Sequence, residues 1–296
     1  MKTEQLRMPA YGGQALIEGV LMRGKYALAA AFRKPDGKIE IHTEKLEGIY
    51  KNNFFKIPFL RGVVILWDSL VLGMKYLTIS ANIQAETEEE KVNGFGLYLA
   101  VITALAFALV LFFISPLLIS KLIGFFIPLN IVMSNLLEGV ARLFIMIAYL
   151  MVISRMTEIR RVFSYHGAEH KTINAYEDRA ELSVKSVMKY SVQHPRCGTS
   201  FLLTLVILSI LVFTLIGELT FGMKILSRIF LVPILAMVSY EIIRLMGNLQ
   251  GNPLVGWLSK PNMALQGLTT REPTPEMVEV AITAFNSLLE MERLNL

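Results

Sequence analysis

The chain has 296 residues, of which 54% are hydrophobic and only 18% are charged, and its mean hydropathy is +0.52. These values are typical of an integral membrane protein and exclude an ordinary soluble domain. The single cysteine excludes an intramolecular disulfide. A net charge of +5 would suit a nucleic-acid partner, but the basic residues follow a membrane topology instead, so we expect no nucleic-acid binding.

Residues 1–53 are predicted to form a small cytoplasmic module that contains a β-hairpin. Tyr26–Phe32 and Ile39–Thr43 are rich in β-prone residues, and the Asp-Gly pair within residues 34–38 favours a tight turn between them. Gly12–Gly24 contains several glycines but lacks the spacing of phosphate-binding loops. We therefore expect this segment to be extended backbone packed on the hairpin.

Residues 54–96 are predicted to be an amphipathic segment followed by an acidic linker. The apolar stretch Phe54–Ile79 contains Arg61, Asp68 and Lys75, which makes it too polar for a helix that faces lipid. We expect an interfacial or re-entrant helix that lies against the membrane helices. Asp68 has no evident partner in the sequence and is a candidate for lining a polar cavity.

Four apolar runs approach the roughly 20 residues needed to cross a bilayer. They form two hairpins, residues 97–154 and 199–246, joined by the polar loop 155–198. Lys and Arg number 13 in residues 1–96, 8 in the loop and 3 in residues 247–296, whereas the opposite side keeps only Lys121 and Lys224. This asymmetry predicts that both termini and the loop lie in the cytoplasm, beneath the cell membrane. The predicted spans are Leu97–Ser120, Ser134–Ser154, Thr199–Gly217 and Ile225–Met246.

The tail, residues 247–296, is predicted to end in a helix that begins near Thr274-Pro275-Glu276. Its apolar positions recur with helical spacing, so the helix should dock on the cytoplasmic module. The expected fold is therefore a helical membrane protein with about four transmembrane helices, a small cytoplasmic α+β module and an amphipathic interfacial helix. The predicted docking positions are Met277, Ala281, Phe285, Leu288 and Leu289.

Four of the five His and Cys residues fall in the 32 residues from His166 to Cys197. His166 and His170 belong to an H-x-x-E-H pattern, in which both imidazoles stand on one helix face and can bind one ion. Glu169 is then the candidate general base. The pattern alone has low specificity, because two such histidines can equally be interface residues at a membrane surface.

His194 and Cys197 form a second pair, His-x-x-Cys, in a loop shaped by Pro195 and Gly198. With both pairs present we predict a divalent metal site, with zinc favoured by mixed nitrogen and sulfur ligands and iron as an alternative. Glu177 lies on the same helix face as His166 and is a candidate third ligand or a carboxylate partner of an imidazole. Four His and Cys ligands would make a closed structural site, and three would leave a position for catalysis.

Ionisable residues also occur inside the predicted spans. Glu138 with Arg142, and Glu241 with Arg244, have the spacing of helix-surface ion pairs. Each pair lies near a span end, where we expect self-pairing and a structural role. The alternative is a polar path of the kind a transporter uses.

Several separated motifs resemble the YqhQ-like family of bacterial membrane proteins, which are described as predicted metal-dependent enzymes. The resemblance covers almost the whole chain, and it implies a metal-dependent activity without naming a substrate. The motifs are Gly12–Gly24, Arg61–Val63, Tyr165–Lys171, His194–Ser200 and Leu268–Pro273.

We expect a zinc-dependent hydrolase at the cytoplasmic membrane surface, acting on a lipid, a peptide or a lipid-linked substrate. The first alternative is a non-enzymatic scaffold or assembly factor whose metal site is structural. The second is a transporter or channel. The lipid bilayer is the expected environment in each case, and a lipid, peptide or protein would be the partner at the surface.

Overall fold

The computed structural model describes residues 11–46, 57–249 and 252–294. The chain is mostly helical and has one four-stranded antiparallel sheet in the order β1-β2-β3-β4. The predictions for residues 1–10, 47–56, 250–251 and 295–296 lie outside the described residues. The strands are β1 Gly12–Leu16, β2 Gly19–Arg23, β3 Ala27–Arg33 and β4 Ile39–Lys45.

The predicted hairpin is confirmed as β3 and β4, with Gly37 in the left-handed region at the turn (φ 84°). The Gly12–Gly24 segment forms a second hairpin, β1 and β2, so its prediction as merely extended backbone was incomplete. Glu18 stands at the turn between these strands with a φ of 52°. Its side chain accepts hydrogen bonds from Arg161 and Tyr165, which fastens the turn to the helix that carries the histidines.

Ten α-helices follow the first hairpins in the described chain. A π-helical turn, Val110–Ile114, separates α2 from α3. The helices are α1 Leu60–Gln84, α2 Gly94–Leu109, α3 Ser115–Phe126, α4 Ile131–Ile153, α5 Thr157–Glu177, α6 Val184–Val187, α7 Gly198–Thr214, α8 Phe221–Asn248, α9 Pro253–Thr269 and α10 Pro275–Arg293.

Four helical segments are long and apolar enough to cross a membrane, which indicates a membrane protein. They are Arg61–Gln84, Glu88–Phe126, Ile131–Ile153 and Gly222–Asn248. The number agrees with the sequence prediction but the set differs. Gly198–Thr214 is apolar yet has only 17 residues, or about 25 Å at 1.5 Å per residue, whereas α1, predicted to be interfacial, is long enough.

The two faces of the sheet pack against different helices. On one face, Val20 and Met22 join a core formed with α5 and α10. On the other face, Leu21 and Phe32 pack with Leu72 and Tyr76 of α1. This burial of alternate strand positions on both faces explains why β2 and β3 have almost no exposed residues.

The predicted docking face of the C-terminal helix is confirmed. Met277, Ala281, Phe285 and Leu288 of α10 are buried in the core shared with the sheet, and Leu289 is packed against it. Thr274 precedes the helix as predicted, although its hydroxyl makes no capping hydrogen bond.

The ion pairs predicted within the spans differ from those in the structure. Glu138 and Arg142 do pair, but both are buried and Glu138 also binds Arg228 of α8. The predicted pairing of Glu241 with Arg244 was wrong, because the Glu241 carboxylate binds Arg61 of α1 instead.

Asp68 lacked a partner in the sequence and has one in the structure, Arg23 of β2. Ion pairs between residues far apart in the chain cannot be predicted from sequence spacing, because the helix rules apply only to residues three or four positions apart.

Candidate metal centre

Three ligand-type side chains converge where the sheet-containing module meets the apolar helices. His166 and His170 stand one turn apart on α5, with ring centroids separated by 4.3 Å. Cys197 is the residue immediately before α7, and its Sγ lies 3.3 Å from Nε2 of His166. One ligand atom from each residue lies within 4.8 Å of the other two. Among the described residues these three form a candidate metal-binding group.

The backbone fixes the proton position on both histidines. Nδ1 of His166 lies 2.8 Å from the carbonyl oxygen of Thr269, and Nδ1 of His170 lies 2.6 Å from that of Val192. A carbonyl only accepts hydrogen bonds, so each Nδ1 must carry the proton. In the neutral rings Nε2 then holds a lone pair, which is the form that a metal ion requires.

Cys197 is held at the N-terminus of α7. The backbone N–H of Thr199 donates to its Sγ at 3.4 Å. A thiolate with two imidazoles is the donor set that zinc accepts, and ideal tetrahedral zinc geometry places sulfur about 3.6 Å from nitrogen. The donor types of the three side chains therefore fit zinc, and the distance from Cys197 Sγ to His166 Nε2 is close to the tetrahedral value.

Glu169 precedes His170 in the chain and is buried beside this group. Its Oε2 has no hydrogen-bond partner among the described residues. Burial raises the pKa of Glu169, while the His166 and His194 rings and the Gly13 backbone act in the opposite direction. A carboxyl with a raised pKa is a stronger proton acceptor than an ordinary one, as a general base must be.

Gly13 of β1 allows the sheet to approach Glu169 closely. A Cβ at this position would lie 2.9 Å from the Glu169 carboxyl carbon and 2.4 Å from the Leu21 carbonyl oxygen. Any side chain would therefore displace either the strand or the carboxylate, which gives the first glycine motif a role at the site.

Gly167 lets a second segment reach the same helix. A Cβ there would lie only 2.1 Å from the carbonyl oxygen of Arg271. From sequence, Gly167 only weakens the helix. In the structure it permits the contact with the chain after α9, whose Thr269 carbonyl orients His166.

His194 lies next to the three-residue group without joining it. Its backbone is held on both sides by Gln266, and its ring is 5.7 Å from that of His170. Nε2 of His194 lies 3.5 Å from a carboxylate oxygen of Glu177. Burial lowers the pKa of His194, which favours the neutral ring, although the Glu169 charge raises it.

Glu177 forms an ion pair with Arg196 and stands near His194 rather than at the ligand atoms of the group. Of the five residues predicted as metal ligands, the structure thus brings together His166, His170 and Cys197 and places His194 and Glu177 to one side. Their roles as ligands, and that of Glu169 as base, remain predictions.

Four residues at the site were missed by the sequence reasoning. Thr269 and Val192 act through backbone carbonyls, which leave no side-chain signal. Gln266 holds the His194 backbone, and Arg196 holds Glu177. The only available signal was that Arg196 and Thr269 lie within the motifs that carry the family resemblance.

The fold and this group define a class: a largely helical protein with candidate membrane spans and a largely buried His/Cys cluster beside a small sheet. The chain belongs to the family described as "Protein of unknown function (DUF1385)", whose profile matches residues 57–291. It is 36% identical over 306 aligned residues to "Uncharacterized protein YqhQ" of Bacillus subtilis (strain 168), covering 97% of this chain and 94% of that protein. No solved structure matches the chain. The resemblance inferred from the motifs is confirmed.

Proposed function

We propose that this protein is a zinc-dependent hydrolase of the membrane surface, with His166, His170 and Cys197 as ligands and Glu169 as general base. The observation that carries the proposal is the convergence of three ligand atoms beside a buried carboxylate whose Oε2 has no partner in the described chain. Three protein ligands leave a fourth position open, as in catalytic zinc sites.

Separate residues of the chain would hold the zinc ligands in place and transfer the proton. A bound zinc ion would supply Lewis-acid chemistry. Thr269 and Val192 hold the two imidazoles in the binding tautomer through their carbonyls. Glu169 would take a proton from the attacking water and return it to the leaving group, a role for which its raised pKa is suited.

We also propose the predicted topology, with crossings by α2–α3, α4, α7 and α8 and with the module and α5 in the cytoplasm. The basic residues support this orientation. Although α7 is short, it starts at Cys197, and just beyond its other end the Ile216 carbonyl accepts a hydrogen bond from Asn135 near the start of α4. It therefore runs between the module and the far end of α4.

The interfacial assignment of α1 is proposed for a similar reason. Its second half packs on the sheet through Leu72 and Tyr76, and Gln84 donates to the Arg33 carbonyl. A helix held along the sheet in this way cannot also cross the hydrocarbon over that length. Composition alone makes α1 a candidate span, and the contacts with the sheet are the stronger evidence.

One alternative has a specific observation in its favour. His194 is buried close to the group, so a rotation of its ring could complete a closed four-ligand site of a scaffold protein. Transport has less support, because Asp68 and Glu241 are held in ion pairs with arginines.

Metal content separates these proposals. Purified protein should contain one zinc per chain, and Cys197→Ser and His170→Ala should remove it, because loss of one ligand from a three-ligand site leaves two. His42→Ala is the matched control, since His42 lies on β4 and pairs with Glu40. The hydrolase proposal predicts that His194→Ala retains zinc, whereas a closed site predicts its loss. Zinc-free wild-type protein that is fully folded would contradict both.

Catalysis is tested with Glu169→Gln, which keeps the shape of the side chain and removes the base. A panel of fluorogenic phosphoester, carboxylic ester and peptide substrates in micelles should be turned over by wild type. The variant should keep its zinc and lose about 100-fold or more in rate. Equal turnover by wild type and Glu169→Gln would refute the role of Glu169.

A further inference from the structure

A cavity of about 540 Å³ opens next to the candidate metal centre. Its walls are β1 and β2, the helices α1 and α8, and Arg196 from the loop before α7. This volume is within the usual range for a small-molecule site, about 300–1,000 Å³. The cavity therefore has room for a headgroup and the first part of an attached chain.

All charged residues that line the cavity are arginines: Arg23, Arg196 and Arg244. Arg23 pairs with Asp68 and Arg196 with Glu177, which offsets two of the three charges. Arg244 is exposed and makes no hydrogen bond or ion pair within the described chain. The buried Nε of Arg196 also lacks an acceptor there. A site with spare guanidinium donors and excess positive charge favours an anion, phosphate above all.

The helices α1 and α8 give the cavity a mostly apolar wall opposite the β1–β2 hairpin. Ile65 and Leu72 of α1 face the cavity together with Tyr240 and Ile243 of α8. Because α8 continues as an apolar span, the cavity joins a basic end at the module to an apolar wall that leads toward the bilayer. This combination matches an anionic amphiphile better than a soluble anion.

Two lining residues connect the cavity to the centre. Gly13 lines it and closely approaches the Glu169 carboxyl. Arg196 lines it and is the neighbour of Cys197 in the chain. A headgroup held by the arginines would therefore lie next to the proposed base and ligands.

We propose that this cavity binds the phosphate headgroup of an anionic membrane lipid, with its acyl chains along α1 and α8. Such lipids are then the substrate class of the hydrolase, a part that rests on the proposed function. In phosphoester hydrolysis the water oxygen bonds to phosphorus and the bond from phosphorus to the alcohol oxygen breaks. The proton that Glu169 takes from water goes to that alcohol oxygen, so the step consumes water alone.

The test measures binding of fluorescent phosphatidylglycerol to the full chain in neutral detergent micelles. Arg244→Gln should weaken binding about tenfold, since one charge-assisted contact is lost. Ser69→Phe should also weaken lipid binding, because the larger side chain would fill part of the cavity beside its apolar wall. Arg155→Gln is the matched control, because Arg155 is exposed at the end of α4 and does not line the cavity; it should bind like wild type.

Competitors identify the ligand. Unlabelled phosphatidylglycerol should displace the probe, whereas phosphatidylcholine and inorganic phosphate should not at equal concentration. Displacement by phosphate as effective as by the lipid would assign the site to a free anion and overturn the proposal. Equal displacement by phosphatidylcholine, or an unchanged affinity in Arg244→Gln, would overturn it as well.

The same measurement on the His170→Ala variant separates this proposal from the proposed function. Lipid binding should persist without the metal, because the arginines and not the ion hold the headgroup. Binding that depends on Arg244 without any turnover would refute the hydrolase and leave the lipid site standing. If the protein hydrolyses phosphatidylglycerol and the KM is the same in Arg244→Gln as in wild type, the lipid site is refuted and the hydrolase proposal stands.

Discussion

Replacing Glu138 by Gln should destabilise the protein more than any exposed charge change, because Glu138 is the anion between two buried cations. Its carboxylate accepts one hydrogen bond from Arg142, at 2.6 Å, and three from Arg228, at 2.9 to 3.2 Å. All three residues are at least 96% buried. Arg228 also stacks over the Phe213 ring, with its guanidinium carbon 4.2 Å from the centroid.

The expected loss follows from what Gln leaves behind. Breaking a buried ion pair by removing one partner costs about 3–5 kcal/mol, because the remaining charge is uncompensated. Here one anion serves two guanidiniums, and Gln supplies only one carbonyl oxygen to them. We therefore expect the free energy of unfolding to fall by about 4 kcal/mol. Removing one cation as well, in Glu138→Gln/Arg228→Gln, should restore part of the loss, because fewer charges remain unpaired.

The free energy of unfolding can be measured by titrating SDS into neutral mixed micelles and following circular dichroism. Glu279→Gln is the matched control, since that glutamate is exposed and pairs with Arg33 at the surface. The control should change stability by less than about 1 kcal/mol. The reasoning would be refuted if Glu138→Gln lowered the free energy of unfolding no more than the control does. It would also be refuted if the double variant were less stable than Glu138→Gln alone.

Three further predictions concern the module. Gly167→Ala should lower the free energy of unfolding by about 2 kcal/mol or more in the same titration, because the new Cβ would overlap the Arg271 carbonyl oxygen. Glu292→Ala should lower the free energy of unfolding by about 1–3 kcal/mol, since Oε1 of Glu292 accepts the backbone N–H bonds of Tyr26 and Ala27 at the start of β3; an unchanged midpoint would contradict this. The hydrogen bond from Arg161 lowers the pKa of Glu18, so this pair stabilises the folded state at neutral pH, and the stability is lost as pH falls through the lowered pKa. Glu18→Gln should therefore flatten the acid side of a melting-temperature profile, and a profile identical to wild type would argue against the pair.

Local chemistry made the β3–β4 hairpin and the C-terminal helix predictable. Asp36-Gly37 specified the turn between β3 and β4, and Pro275 with the spacing of Met277 and Phe285 specified α10 and its docking face. Each of these signals lies within a few residues of the feature it predicts. The position of α1 against the sheet could not be predicted in the same way, because it depends on contacts with strands that are distant in the sequence.

The same distinction applies to the candidate site. The spacing of His166 and His170 placed both on one face of a helix, and the second pair suggested that Cys197, His194 or both would join them. Only Cys197 does so in the structure. The separation of His194 and Glu177 from that group could not be foreseen, because it results from Gln266 and from Arg196. Glu177 pairs with the guanidinium of Arg196 and lies farther from the imidazole of His194, and this choice depends on where the fold places the two side chains.

The candidate centre is assembled from segments that leave the ribosome far apart in time. His166 is made before the last two apolar helices, but the Thr269 carbonyl that orients it follows them. The core on one face of the sheet is completed later still, because it includes residues of α10, near residue 280. Long-range contacts of this kind form slowly. The proposed metal would therefore bind only to a chain whose synthesis is nearly complete, because a chain interrupted before α9 lacks the carbonyl that orients His166.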